Sequence, residues 1–267
     1  MTEPHDVFAA LTATGDEFDR VLAGLHEDDW SLPTPSPGWT IAHQVAHLSA
    51  TFRMAGLAGA DPDAFRRMTK GLSPDFDANV EHALAEFLSE PPNVLFQRWQ
   101  SEKARAIASL AAVPADQVVP WLVNPLPPGV LAAAGMMELF AHGQDVADAV
   151  GVRLERTDDL GHLVAFAVRT WDFGYQARGV PTPDVRIRFE ITAPSGTLWT
   201  FGPEDGADRV TGPAEDFCLL VTRRRHHEDL ALTATGDVAT AWLRIAQAYR
   251  GPAGVGRKPR QFDTARS

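Results

Sequence analysis

An apolar run carrying three polar groups on a single helical face constrains this chain more than any other feature. In Met136-Met137-Glu138-Leu139-Phe140-Ala141-His142-Gly143-Gln144-Asp145, the residues Glu138, His142 and Asp145 stand at i, i+4 and i+7. At 3.6 residues per turn they share one side of a helix. A neutral imidazole and a carboxylate one turn apart are ordinary ligands for zinc and similar divalent ions, but two ligands leave a site incomplete. A third must come from another segment.

The best donor segment is Pro37-Gly38-Trp39-Thr40-Ile41-Ala42-His43-Gln44-Val45-Ala46-His47-Leu48. Pro-Gly signals a turn, Thr40 suits a helix N-cap, and His43 and His47 again lie one turn apart. Two helices facing each other through such stripes build metal sites in helical bundles. Taken alone, Glu138 with His142 reads first as a buried ion pair or a solvated helix edge.

Pro37-Gly38-Trp39-Thr40 followed by His47-Leu48, then Glu138, His142, Gly143 and Asp145, resembles the mycothiol-dependent maleylpyruvate isomerase family, a branch of the DinB-like metal-binding bundle proteins. Leu198-Trp199-Thr200-Phe201-Gly202 and Gly212-Pro213-Ala214-Glu215-Asp216-Phe217 are similar to that family's smaller C-terminal α/β domain. The resemblance implies an α+β protein: a DinB-like four-helix bundle over residues 1–180 and a small α/β domain with a tail over 181–267. It also implies a divalent metal, zinc in the first instance, held by His47, Glu138 and His142, with mycothiol as a possible cosubstrate. His43 departs from the family pattern; a fourth ligand, a general base and altered chemistry are the alternatives. Asp145 is expected to orient His142 or a nearby backbone amide.

Composition narrows the function classes. A formal charge of −11 over 267 residues argues against nonspecific nucleic-acid binding, which needs a positive footprint. No apolar run approaches the ~20 residues that span a bilayer, and no basic start precedes an apolar core, so a soluble, cytoplasmic protein acting on a small molecule is expected. Monomer and homodimer are both compatible with the sequence. Cys218, the single cysteine, lies among Phe217, Leu219 and Leu220 and reads as buried, so thiol chemistry requires an external sulfur.

Apolar spacing predicts helices over about 6–25, 40–57, 75–89, 91–111, up to 150, and 157–176, with a local helix near Phe65. Pro33, Pro35 and Pro37 deny helix to the segment after Trp30. The proline-rich stretch 114–129 enters the ligand helix and offers Trp121 as a lid over a cleft or as a core anchor. Beyond Gly179-Val180-Pro181 the period changes: Val185 to Ile191 alternates, Ser195-Gly196 turns it into Thr197 to Phe201, and helices at 213–222 and 237–248 flank a strand at 230–234. The tail from 251 to 267 is read as an ordered edge or a mobile end.

Arg223-Arg224-Arg225-His226-His227 is the other conspicuous cluster. Guanidinium forks suit carboxylates and phosphates, and Arg224 is the candidate to line a substrate cleft, although a solvated helix terminus is the plainer reading. Adjacent histidines project in different directions on regular secondary structure, which counts against a metal there. No nucleotide cradle and no Gly-x-Ser-x-Gly elbow is present. The function expected is a metal-dependent enzyme acting on a small electrophilic or carbonyl metabolite, a thiol-dependent isomerase or S-transferase. The alternatives are a thiol-independent cyclase, hydratase or hydrolase, or a small-molecule-binding protein without turnover.

Overall fold

The computed structural model describes residues 6–263 and divides into two compact units, Met1–Leu154 and Glu155–Ser267. The first is helical throughout: α1 Val7–Ala23, α2 Ile41–Ala60, α3 Pro62–Thr69, α4 Phe76–Leu88, α5 Pro92–Ala111 and α6 Pro128–Val150. Helices α1, α2, α5 and α6 pack on one another as the four-helix bundle, with α3 and α4 laid against α2. Among the described residues no helix is long and apolar enough to cross a membrane.

The bundle core forms where the apolar stripes meet. Trp99 of α5 is fully buried, its ring edge-on to Phe18 of α1 and Phe52 of α2 at 5.8 and 5.0 Å. Its indole N–H donates to Asp19 at 2.7 Å, so the one polar atom of this side chain is satisfied. Asp19 in turn accepts from Lys103 at 2.9 Å, which also donates to Asp16 at 2.7 Å. Trp30, in a 3₁₀ turn spanning Glu27–Ser31, is buried near Phe96 and belongs to this core.

Close approach fixes α2 against α5. A Cβ on Gly56 would sit 3.2 Å from Ala106 Cα, and one on Gly59 would sit 2.9 Å from the Ser109 carbonyl oxygen. Both contacts are with backbone, so neither can be relieved by turning a side chain. The result is a rigid seat for the next face of α2, which looks toward α6.

The second unit carries α7 Leu160–Arg169, α8 Phe173–Gln176, α9 Ala214–Val221 and α10 Asp237–Leu243 around a four-stranded mixed sheet. Its strands, β1 Arg188–Thr192, β2 Leu198–Phe201, β3 Arg209–Pro213 and β4 Thr233–Thr235, run in the order β2-β1-β3-β4. β1 pairs antiparallel with β2 in the expected hairpin and parallel with β3, which pairs antiparallel with β4. The whole protein is α+β.

Three details differ from the sequence reading. β3 has no strand signal, because Asp208, Arg209 and the Gly212-Pro213 pair mask it, yet it is a central strand whose Val210 is fully buried. The helix predicted over 157–176 breaks at Thr170, whose hydroxyl donates to the Phe166 carbonyl at 2.9 Å and lies within hydrogen-bond distance of the Ala248 carbonyl. The connection expected at 179–183 lies inside the second unit, since α7 packs on α9. The tail is an ordered edge as far as Phe262, over whose ring Arg225 sits at 3.7 Å; residues 264–267 lie outside the described residues.

The α2–α5 contact yields a test in which sign matters. Alanine exceeds glycine in helix propensity by about 1 kcal/mol, so Gly59→Ala in a free helix would stabilise. Here the backbone collision reverses the sign, and a net loss of about 1–2 kcal/mol is expected in urea unfolding. Unfolding at or above the wild-type midpoint would mean the helices do not approach this closely.

Candidate metal centre

The sequence places Glu138 and His142 one turn apart on α6 and His47 on α2; packing brings the three together. His47 Nε2 and His142 Nε2 lie 3.4 and 3.3 Å from the same oxygen, Glu138 Oε2. One ligand atom from each residue falls within 4.8 Å of the others, so the set can hold a metal ion. A tetrahedral ion with bonds near 2.0–2.1 Å sets its ligand atoms about 3.4 Å apart, so the two imidazole-to-carboxylate spacings already match such an ion. Burial by itself raises the Glu138 carboxyl, but hydrogen bonds and charge from His142 and His47 outweigh it and hold the group well below its ordinary 4.5. Its stabilising contribution, complete above that ordinary value, is therefore lost only as pH falls far into the acid range.

A buried relay sets the His142 ring. Gln44, at zero exposure on α2, presents Oε1 to His142 Nδ1 at 2.5 Å. Its amide nitrogen donates to Thr34 Oγ1 at 2.8 Å and lies 3.4 Å from Asp145 Oδ2. Asp145 is equally buried and accepts from Ser36 at 2.7 Å. With Gln44 Oε1 as acceptor, His142 Nδ1 carries a proton and Nε2 is the nitrogen that faces the centre: it donates to Glu138 when the ring is protonated, and offers a lone pair to an ion that displaces that proton. Asp145 thus acts on His142 through Gln44.

The loop before α2 covers the site. Thr34 N–H donates to the Trp39 carbonyl, Trp39 N–H to Ser36, and Ile41 N–H to Leu32, while Gly38 takes φ +80° at the turn. This tight hairpin delivers Thr34 and Ser36 to the relay and lays Trp39 beside the imidazoles. The indole is nearly parallel to His142 at 5.8 Å, 24° between planes, and 5.4 Å from His47.

The other sequence candidates lie outside the convergent set. His43, anticipated as a fourth ligand or general base, accepts from the Thr40 N–H at 3.3 Å through Nδ1, with Thr40 Oγ1 2.8 Å from the same nitrogen. It caps α2. Trp121 stacks on Phe65 of α3 at 5.7 Å. Arg224 belongs to the second unit and donates to the Thr222 carbonyl at 2.7 Å. Cys218 is fully buried, and burial pushes its thiol far above the ordinary range, which excludes it as a nucleophile at neutral pH.

Sequence reasoning did not assign Gln44 or Trp39 a role. Gln44 had a readable signal, since it precedes His47 by three positions and shares its helix face. The seat of Trp39 depends on the loop's hydrogen bonds and has no counterpart in spacing.

Comparison with known proteins places these features in context. The family model for the mycothiol maleylpyruvate isomerase N-terminal domain matches residues 11–147, just over half of the chain, and a model described as wyosine base formation matches residues 184–235. Two proteins of Mycobacterium tuberculosis, from strains CDC 1551 and H37Rv and both named as uncharacterized, are 40% identical over 257 residues, covering 96% of this chain and 100% of their own length. A crystal structure of the mycothiol-dependent maleylpyruvate isomerase superposes with TM-score 0.51 at 16% identity, over 82% of this chain and 91% of that one. A histidine-to-alanine variant of that isomerase gives 0.50 at 15%. At this identity the likeness is one of fold.

The geometry separates ligands from the relay behind them. Wild-type protein is expected to copurify with a metal ion and Glu138→Ala without it, read by elemental analysis, whereas Gln44→Ala retains the site with about 10–100-fold weaker affinity. Equal metal content in wild type and Glu138→Ala would place the ion elsewhere.

Proposed function

Because the chain belongs to the mycothiol maleylpyruvate isomerase N-terminal domain family, we propose that it is a metal-dependent enzyme joining a small thiol to an electrophilic metabolite, as an isomerase or S-transferase. The observation that supports this reading is the pair of 3.3 and 3.4 Å spacings at which two imidazole nitrogens meet one carboxylate oxygen. Three protein ligands of this chemistry suit zinc and leave a coordination position for a further molecule. A cation held there supplies Lewis acidity, which lowers the pKa of a thiol or polarises a carbonyl.

The chain's own residues do the rest. Glu138 brings one negative charge, so together with a divalent ion the centre keeps net positive charge and favours an anionic sulfur. Gln44 and Asp145 hold the Nε2 of His142 on target, and Trp39 presents an apolar wall that limits water beside the imidazoles. No side chain supplies the sulfur, since Cys218 is buried and protonated; the thiol is a cosubstrate, with mycothiol the first choice. Its sulfur adds to an electrophilic carbon. The π pair of the attacked double bond moves onto the conjugated carbonyl as an enolate; a proton from solvent then gives the conjugate, or rotation about the former double bond and return of the pair expel the thiolate and give the isomer.

Metal-loaded protein offered activated alkenes and α,β-unsaturated ketoacids is expected to turn them over only when mycothiol is supplied, with loss of at least about 100-fold in His47→Ala by product mass spectrometry. Equal turnover without thiol would move the site to hydrolytic or cyclising chemistry. No product with any thiol, together with tight binding of the small molecule, would indicate a binding protein.

A further inference from the structure

We propose that His226, His227 and Glu228 form a second divalent transition-metal site, independent of the one on α2 and α6. Adjacent side chains diverge on a regular helix or strand, which is why the sequence alone counts against this pair. The backbone here is neither. His226 is extended, at φ −73° and ψ 144°, and leads directly into a 3₁₀ turn over His227–Asp229. That junction swings successive side chains to the same side: the two imidazole centroids lie 4.3 Å apart, and Glu228 carboxylate oxygens lie 4.0 Å from His226 Nδ1 and 4.0 Å from His227 Nε2. One ligand atom from each residue falls within 4.8 Å of the others.

The spacing exceeds the tetrahedral value of about 3.4 Å by about 0.6 Å. The exposed Glu228 side chain, at 64% exposure, can close that gap by rotation, while the two rings, at 24% and 22%, are largely enclosed. The turn itself is braced. Asp229 N–H donates to the His226 carbonyl at 3.0 Å, and both Asp229 carboxylate oxygens accept from the Arg260 N–H at 2.9 Å. His226 Nδ1 accepts the Glu228 N–H at 3.3 Å, so it is the unprotonated nitrogen of the ring. That long bond is cheap to exchange for a metal.

Imidazole and carboxylate together select zinc, copper(II), nickel and cobalt over magnesium and calcium. Water completes the coordination. No counterpart of the Gln44–Asp145 relay orients these rings among the interactions found for His226 and His227, and Glu228 is exposed to solvent, so affinity about 10–100-fold below the first centre is expected.

Metal-stripped full-length protein is titrated calorimetrically with Zn²⁺ and, in parallel, with Mg²⁺. Two classes of Zn²⁺ site are expected, with no binding of Mg²⁺ at the weaker one. Glu138→Ala is expected to leave only the weaker class and the His226→Ala/His227→Ala variant only the tighter, with metal-free unfolding midpoints unchanged. If that variant fails to fold, Glu228→Gln replaces it, with at least tenfold weakening of the second class expected. A wild type in which no Zn²⁺ class is weakened or removed by the 226–228 substitutions would overturn the proposal. Loss of the tight class alone would count against the first centre and leave this one standing.

Discussion

The contact between Gln44 of α2 and His142 of α6 is the joint on which the metal centre depends. An amide and a carboxylate buried at zero exposure cost several kcal/mol if left unpaired, so the α2–α6 interface is tolerable only in the register that pairs them. Sliding α6 by one turn, about 5.4 Å, would separate Gln44 from His142 and Asp145 from Ser36 together. The same register brings His47 against Glu138. Polar burial therefore fixes the geometry that apolar packing alone leaves free to slip.

Behind that joint stands a rigid scaffold. Gly56 and Gly59 let α2 seat directly on the backbone of α5, and Trp99 locks α1, α2 and α5 at one level. In front of it, the hairpin from Leu32 to Ile41 contributes Thr34, Ser36 and Trp39 from a single set of backbone hydrogen bonds. Ligands on helices, backed by buried partners, hold position better than ligands on loops. Here the loop supports and shields, and the helices carry the candidate ligands.

The charge at the centre follows from the same burial. Burial pushes the Glu138 carboxyl up, but the two imidazoles within 3.4 Å outweigh it and hold the group well below its ordinary range. The 226–228 turn reaches a similar set of ligand types by a different route, from three consecutive residues and with an exposed carboxylate. Preorganisation separates the two.

The sequence by itself determined the bundle and pointed to the candidate ligands, because Glu138 and His142 are tied by helical period, and the proline run before Gly38 could only be a connection. It also reached the hairpin of β1 and β2 through alternation and Ser195-Gly196. Only the tertiary structure decided what long-range pairing controls: that β3 is a central strand despite its glycine and proline, that His43 turns its nitrogen to the cap of α2, and that Asp145 reaches His142 through Gln44. It also decided that His226 and His227 face one another. Periodicity reports which residues share a face of one element; which atoms meet across two elements, or across a bend, depends on packing and backbone angles that no single stretch encodes.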